Sequence, residues 1–310
     1  MKYIGLQKQI TRNNKRSTLL LIAFPTVILM GVYAFFFFVI DDALEVINTT
    51  FLYTLPFVLA IVGVWFLIAF ASHSAMIKMA TRSSTLERKK NTRVYNLVEN
   101  LCMSVGMKMP KLHVIESDVL NAFASGISEK SYTVTLTTGI IEKLNDKELE
   151  GVIAHELTHI RNRDVRLLII SIIFVGILGF VVQIIFRSLI YGSGRRRNSK
   201  NNKMDGRVVL IALVIAAVVY ILSILFKFAL SRKREYMADA GAVGMTKDPI
   251  AMASALRKIS GNHALDLKSE DMKQAYIENG PAKKSAFSSI TGLFATHPPI
   301  AKRIEFLEQM

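Results

Sequence analysis

His155-Glu156-Leu157-Thr158-His159 is the stretch that decides how this chain is read. On an α-helix its two histidines fall one turn apart on one side, and the glutamate projects beside them. Neutral imidazoles at that spacing can both reach a zinc ion at about 2.0 to 2.1 Å, while a carboxylate too far round the helix to ligate can take a proton from water. The flanking residues predict such a helix. Asn145 is a good N-cap, Asp146 and Glu148 put negative charge in the first turn, and Leu149, Val152, Ile153, Leu157 and Ile160 recur at helical spacing. The histidines lie on the flank of that apolar face, at the edge of a core. A pair at i and i+4 with a glutamate between them is poorly explained by packing alone.

Working outward, the chain is 51% hydrophobic, too apolar for an ordinary soluble domain. The excess sits in four uncharged runs, at 18–40, 51–71, 167–186 and 208–226. The first two are each long enough to cross a hydrocarbon core of about 30 Å as a helix. Lys2, Lys8, Arg12, Lys15 and Arg16 precede the first run, the loop 41–50 has no lysine or arginine, and Lys78, Arg82, Arg88, Lys89, Lys90 and Arg93 follow the second. The positive-inside tendency then puts the tail and the zinc motif in the cytosol. The later two runs are expected to cross as a hairpin. Arg187, Arg195, Arg196, Arg197, Lys200, Lys203 and Arg207 between them run against that tendency, so a pair embedded from the cytoplasmic face stays open. Either arrangement returns the chain to the cytosol.

Between the second and third runs the pattern reads as a small α+β unit. Val94, Leu97, Val98, Leu101 and Val105 mark an amphipathic helix ending near Gly106, and 111–116 and 132–137 read as strands. Asn121-Ala122-Phe123-Ala124 between them is either a short edge strand, to which an extended peptide could add, or a buried turn with Phe123 in the core. Cys102, the single cysteine, excludes an internal disulfide and reads as a core residue of its helix. The net charge of +15 is better matched to anionic lipid headgroups than to nucleic acid in a chain with these spans.

Two histidines leave a zinc site incomplete, so a third ligand must come from elsewhere on the same side of the membrane. The best placed is Glu235, in Arg232-Lys233-Arg234-Glu235-Tyr236-Met237-Ala238-Asp239 after the fourth run. Asp239 would then lie one helical turn on, able to accept a hydrogen bond from the free nitrogen of a ligating histidine. Ordinary surface pairing of these acids with Arg232 and Arg234 is the alternative. Asp248-Pro249 starts a helix running to about Ser260, and Pro298 and Pro299 precede a final one carrying Ile304 and Leu307. Residues 262–289 show no strong period and read as a loop near the site.

The helix Glu150-Gly151-Val152-Ile153-Ala154-His155-Glu156-Leu157-Thr158-His159-Ile160, the following Asn162-Arg163-Asp164, the segment from Ser231 to Asp239 and the Asn121–Ala124 stretch together resemble the HtpX heat-shock membrane metalloproteases. The order of apolar runs resembles that family too. The resemblance implies an α-helical integral membrane protein with four membrane helices and a cytosolic α+β metalloprotease domain of the glutamate-liganded zincin type. It implies one Zn2+ held by His155, His159 and Glu235, with Glu156 as catalytic base. In related proteases a histidine of a His-Pro motif lies by the active site, which matches His297-Pro298. Its implied role is to stabilise the oxyanion, with Arg303 contacting the acidic pair; the residues alone read as a surface turn. The implied setting is the bacterial plasma membrane, with damaged or misassembled membrane proteins as substrates. The expected organisation is a basic tail at 1–16, two membrane helices at 17–72, protease regions at 73–166 and 231–310, and a membrane hairpin at 167–230. A prenyl-protein-type processing protease and a proteolytically inactive membrane scaffold are the alternatives.

Overall fold

A computed structural model of the chain describes residues 6–192, 206–228, 232–261 and 299–310. The apolar runs become long helices: α1 (Leu6–Val39), α2 (Leu44–Thr81), α6 (Asp164–Gly192) and α7 (Gly206–Phe228). The rest is β1 (Ser84–Thr85), α3 (Thr92–Ser104), β2 (Lys111–Ile115), β3 (Ala122–Ser125), β4 (Thr133–Thr137), α4 (Thr138–Lys143), α5 (Asp146–Arg161), α8 (Arg232–Thr246), α9 (Pro249–Ser260) and α10 (Ile300–Glu308). The elements sort into two units, one of residues 17–71 and 170–227, the other of 1–16, 72–169 and 228–310.

The first unit is apolar and helical. Phe174 of α6 stacks on Phe24 of α1 with ring centroids 4.4 Å apart and on Phe66 of α2 at 5.1 Å, and Trp65 meets Phe180 at 4.9 Å. Among the described residues, α1 and α2 are long and apolar enough to cross a membrane, and little of either apolar stretch is covered by protein. Leu52, Tyr53, Phe57, Ile61 and Leu67 are exposed, as a lipid-facing surface requires.

The second unit is built on a mixed sheet of order β1-β2-β4-β3. β2 and β4 run parallel, with Lys111 opposite Thr133, while β3 returns antiparallel on the outer side of β4 with Ala122 opposite Leu136. Asn121-Ala122-Phe123-Ala124 therefore leads into an edge strand. Its side chains are nevertheless buried, Phe123 included, so both readings of this stretch hold in part. All five residues of β4, which lies between β2 and β3, are buried. Gly126, at φ 110°, turns the chain between β3 and β4 where a Cβ would lie 2.4 Å from the Ser131 carbonyl oxygen.

α5 starts where Asn145 was expected to cap it. The cap is reciprocal: the Asn145 side chain accepts from the Glu148 backbone N–H at 3.0 Å, and Glu148 Oε2 accepts from the Asn145 N–H at 3.0 Å. Sequence periodicity gave this helix one apolar face, yet it is buried all round from Gly151 to Ile160. The reason is that α3, α8, α9 and β3 all pack on it, so its polar face is enclosed rather than wet. Gly241 of α8 permits the closest of these approaches, since a Cβ there would sit 2.4 Å from Thr158 Cγ2.

Candidate metal centre

The close contact of α5 with α8 brings His155, His159 and Glu235 together. One ligand atom from each lies within 4.8 Å of the others, and all three residues are buried. His155 Nε2 and His159 Nε2 are 3.2 Å apart, with Glu235 Oε2 3.6 Å from the first and Oε1 3.7 Å from the second. A tetrahedral zinc with bonds of about 2.0–2.1 Å has edges between its ligands of roughly 3.3–3.4 Å. The separations of the two imidazole nitrogens from each other and from the carboxylate oxygens are close to such edges, and two imidazoles with a carboxylate are a suitable donor set. Glu156, next to His155, is also buried.

Each histidine is held by a carboxylate on its other nitrogen. Asp239, one turn after Glu235 on α8, places Oδ1 3.0 Å from His155 Nδ1, as its spacing in the sequence implied. Asp239 is in turn forked by Arg303 of α10, whose Nε donates to Oδ2 at 2.9 Å and Nη2 to Oδ1 at 2.7 Å. Arg303 Nη1 is 3.9 Å from Glu235 Oε2, so this fully buried cation does reach the acidic pair. Burial alone would push His155 down, but its hydrogen bonds to Asp239 and Glu235 outweigh that and raise it to about 9. Burial would likewise raise the Asp239 carboxyl; facing the Arg303 guanidinium, it is held below the usual carboxylate range. Burial opposes the charge on Arg303, yet Asp239, Glu235 and Glu156 together raise its pKa.

The support for His159 was missed in the sequence. Asp164 Oδ2 lies 3.2 Å from His159 Nδ1. A carboxylate five residues beyond the second histidine was the available signal, but it faces the ring only because Arg163 turns the chain with φ 59°. His297 and the 262–289 loop lie outside the described residues.

A model of peptidase family M48 matches residues 88–310, which is most of the chain and includes every side chain of this centre described so far. The chain belongs to peptidase family M48. A protease HtpX homolog of Bacteroides fragilis is 54% identical over 100% of both chains, and one of Listeria monocytogenes is 35% identical over 81% of this chain and 85% of its own. A crystal structure of S. mikatae Ste24p is matched over 96% of this chain and 66% of that one, at 20% identity and a TM-score of 0.48, too distant a likeness to transfer detail. This M48 peptidase is therefore a membrane metalloprotease, with a buried cluster that could hold the metal and two apolar helices fit to cross a bilayer. Neither a prenyl-protein-type processing protease nor an inactive scaffold is favoured.

Proposed function

We propose that this chain is a zinc endopeptidase of the bacterial plasma membrane in which His155, His159 and Glu235 hold the metal and Glu156 is the catalytic base. The observation that carries the assignment is the convergence of the two imidazole Nε2 atoms, 3.2 Å apart, on the Glu235 carboxylate, whose two oxygens lie 3.6 and 3.7 Å from them, separations close to those between ligands on one zinc. When bound there, zinc would act as a Lewis acid, polarising a peptide carbonyl and bringing the pKa of water toward neutrality. Glu156 accepts a proton at its carboxylate as water attacks the carbonyl carbon, then returns it to the departing amine nitrogen. Asp239 keeps the Nδ1 proton of His155 engaged, so that Nε2 offers its lone pair, and Arg303 fixes Asp239 in turn. His297 would donate to the developing oxyanion.

Substrate would lie along β3. Thr137 N–H donates to the Asn121 carbonyl, so by antiparallel alternation the main-chain groups of Ala122 and Ala124 face away from β4. An extended peptide could pair with them on the side not occupied by β4. The substrates fitting this reading are unfolded or misassembled membrane proteins, which offer extended segments. A cytoplasmic side for the protease regions 73–166 and 231–310 agrees with the lysines and arginines before the first run and after the second; the later pair would cross as a hairpin against the basic residues between its two runs. The test is metal analysis of detergent-purified protein together with cleavage of an unfolded membrane protein. Near one zinc per chain and cleavage abolished by a chelator and restored by zinc are expected; cleavage indifferent to chelation would refute the proposal.

A further inference from the structure

The two sides of the metal centre are braced differently. His155 is backed by Asp239, which is locked by a cation from α10 near the carboxyl end. His159 is backed by Asp164, and what locks Asp164 comes from the other end of the chain. Asn13 of α1 donates through its side-chain nitrogen to Asp164 Oδ1 at 2.6 Å and to the Asn162 carbonyl at 2.8 Å. A carboxamide nitrogen carries two hydrogens, so both donors are engaged. The next residue, Asn14, accepts at Oδ1 from Arg163 Nη1 at 3.1 Å. Together these bonds grip Asn162, Arg163 and Asp164, the three residues that turn the chain from α5 into α6. The turn contains a non-glycine residue at positive φ, and Asn162 is the last cap of α5, whose carbonyl needs a donor. Asn13, Asn162 and Asp164 are all buried, so none of these groups can fall back on bulk water.

We infer that Asn13 is a positioning residue for the metal centre, setting Asp164 against His159 Nδ1 and so aiming His159 Nε2 at the site shared with His155 and Glu235. The α1 segment that reads from sequence as a basic tail is thus part of the ligand-orienting shell. With Asn13 in place, one Asp164 oxygen is committed to the amide and the other to the imidazole, which fixes both the tautomer and the ring plane. Without it, Asp164 can rotate and Asn162 loses a donor. The inference rests on the ligand assignment proposed above.

The test uses the full chain in detergent, with Glu156→Gln as background so that the protein does not cut itself. Zinc affinity is measured by competition with a chelator, and the visible spectrum of the cobalt-substituted protein reports ligand geometry. Asn13→Ala is expected to weaken zinc binding by about tenfold or more and to alter the cobalt spectrum. Asn13→Asp, which sets a second carboxylate against Asp164, is expected to weaken it further. Lys15→Ala, an exposed change on the same helix, should alter neither. Where Asn13→Ala does not fold, Asn13→Gln, which keeps the amide but displaces it, is read in the same way. An Asn13 variant with the parent's zinc affinity and cobalt spectrum, even if its melting temperature falls, would overturn the inference while leaving the ligand assignment intact. A parent protein that takes up neither metal would overturn both.

Discussion

Arg303 is the residue on which the charges of the centre converge. It is fully buried, forks Asp239 through two nitrogens and faces Glu235, so it offsets carboxylates that would otherwise repel one another beside the histidines. Lysine carries the same charge but cannot reproduce the planar fork. Arg303→Lys is therefore expected to lower the melting temperature and to weaken zinc binding by about 10- to 100-fold, the range for lost orienting contacts. Unchanged affinity in a chelator competition would show that the fork is dispensable. The residues of the candidate cluster were legible in the sequence, because helical spacing alone puts His155, His159 and Glu156 on neighbouring sides of one helix, and Asp239 follows Glu235 by one turn. Arg303 entered only through resemblance, and Asp164 and Asn13 did not enter as site residues. Asn13 meets Asp164 from 151 residues away, Arg303 meets Asp239 from 64, and Asp164 faces His159 through one left-handed turn, none of which a local pattern encodes.

At the scale of elements, the α5–α8 contact sets the distance between the histidines and Glu235, and Gly241 makes that contact possible. Gly241→Ala would drive a methyl into Thr158 and push the helices apart, at a cost of about 1–3 kcal/mol typical of overpacking. Zinc affinity is expected to fall, and adding Thr158→Ser, which removes the nearest atom, should recover part of it. Wild-type affinity in the single variant would mean that the helix spacing does not set the site. The joint between α5 and α9 is electrostatic. Glu148 accepts from Ser254 Oγ at 2.7 Å and from Lys258 Nζ at 2.7 Å as well as closing its own capping box. Burial would raise its carboxyl, but the bonds from Lys258, Asn145 and Ser254 outweigh that and hold it below the ordinary value. A carboxyl depressed in the folded state stabilises fully above its unfolded pKa of about 4.3 and loses that contribution as pH falls through the folded value. Glu148→Gln should thus lower the melting temperature of metal-free protein at pH 7, by about 1 kcal/mol given that Lys258 is half exposed, and the gap to wild type should close below about pH 4. A gap constant with pH would contradict this account of Glu148. The sequence showed the caps and the strands 111–116 and 132–137, but not β1 or α4, which are too short to carry a period. Nor did it show that α5 is enclosed, since its polar residues are met by α8, α9 and α10 rather than by water.

For the whole molecule, the apolar runs were the most readable feature, because about twenty uncharged residues in succession are long enough for a helix to cross a hydrocarbon core. Their orientation was read from lysine and arginine alone. Cys102 is buried, and its thiol is pushed up by burial to about 11, so it is a poor reactant and can be changed to Ser to give a clean background. Single cysteines at Thr49 and Lys90, both exposed, then report opposite ends of α2. A membrane-impermeant thiol reagent is expected to label Thr49→Cys on intact cells and Lys90→Cys only after lysis. The reverse pattern would put the metal centre outside.

The central claim, a zinc peptidase with Glu156 as its base, is met most directly by measuring zinc content and cleavage rate in one preparation of Glu156→Gln. The amide keeps the shape of the side chain and leaves all three ligands untouched, but it cannot accept a proton. Zinc equal to wild type with cleavage reduced by at least about a hundredfold is the expected result. Cleavage within tenfold of wild type, at equal zinc, would contradict it.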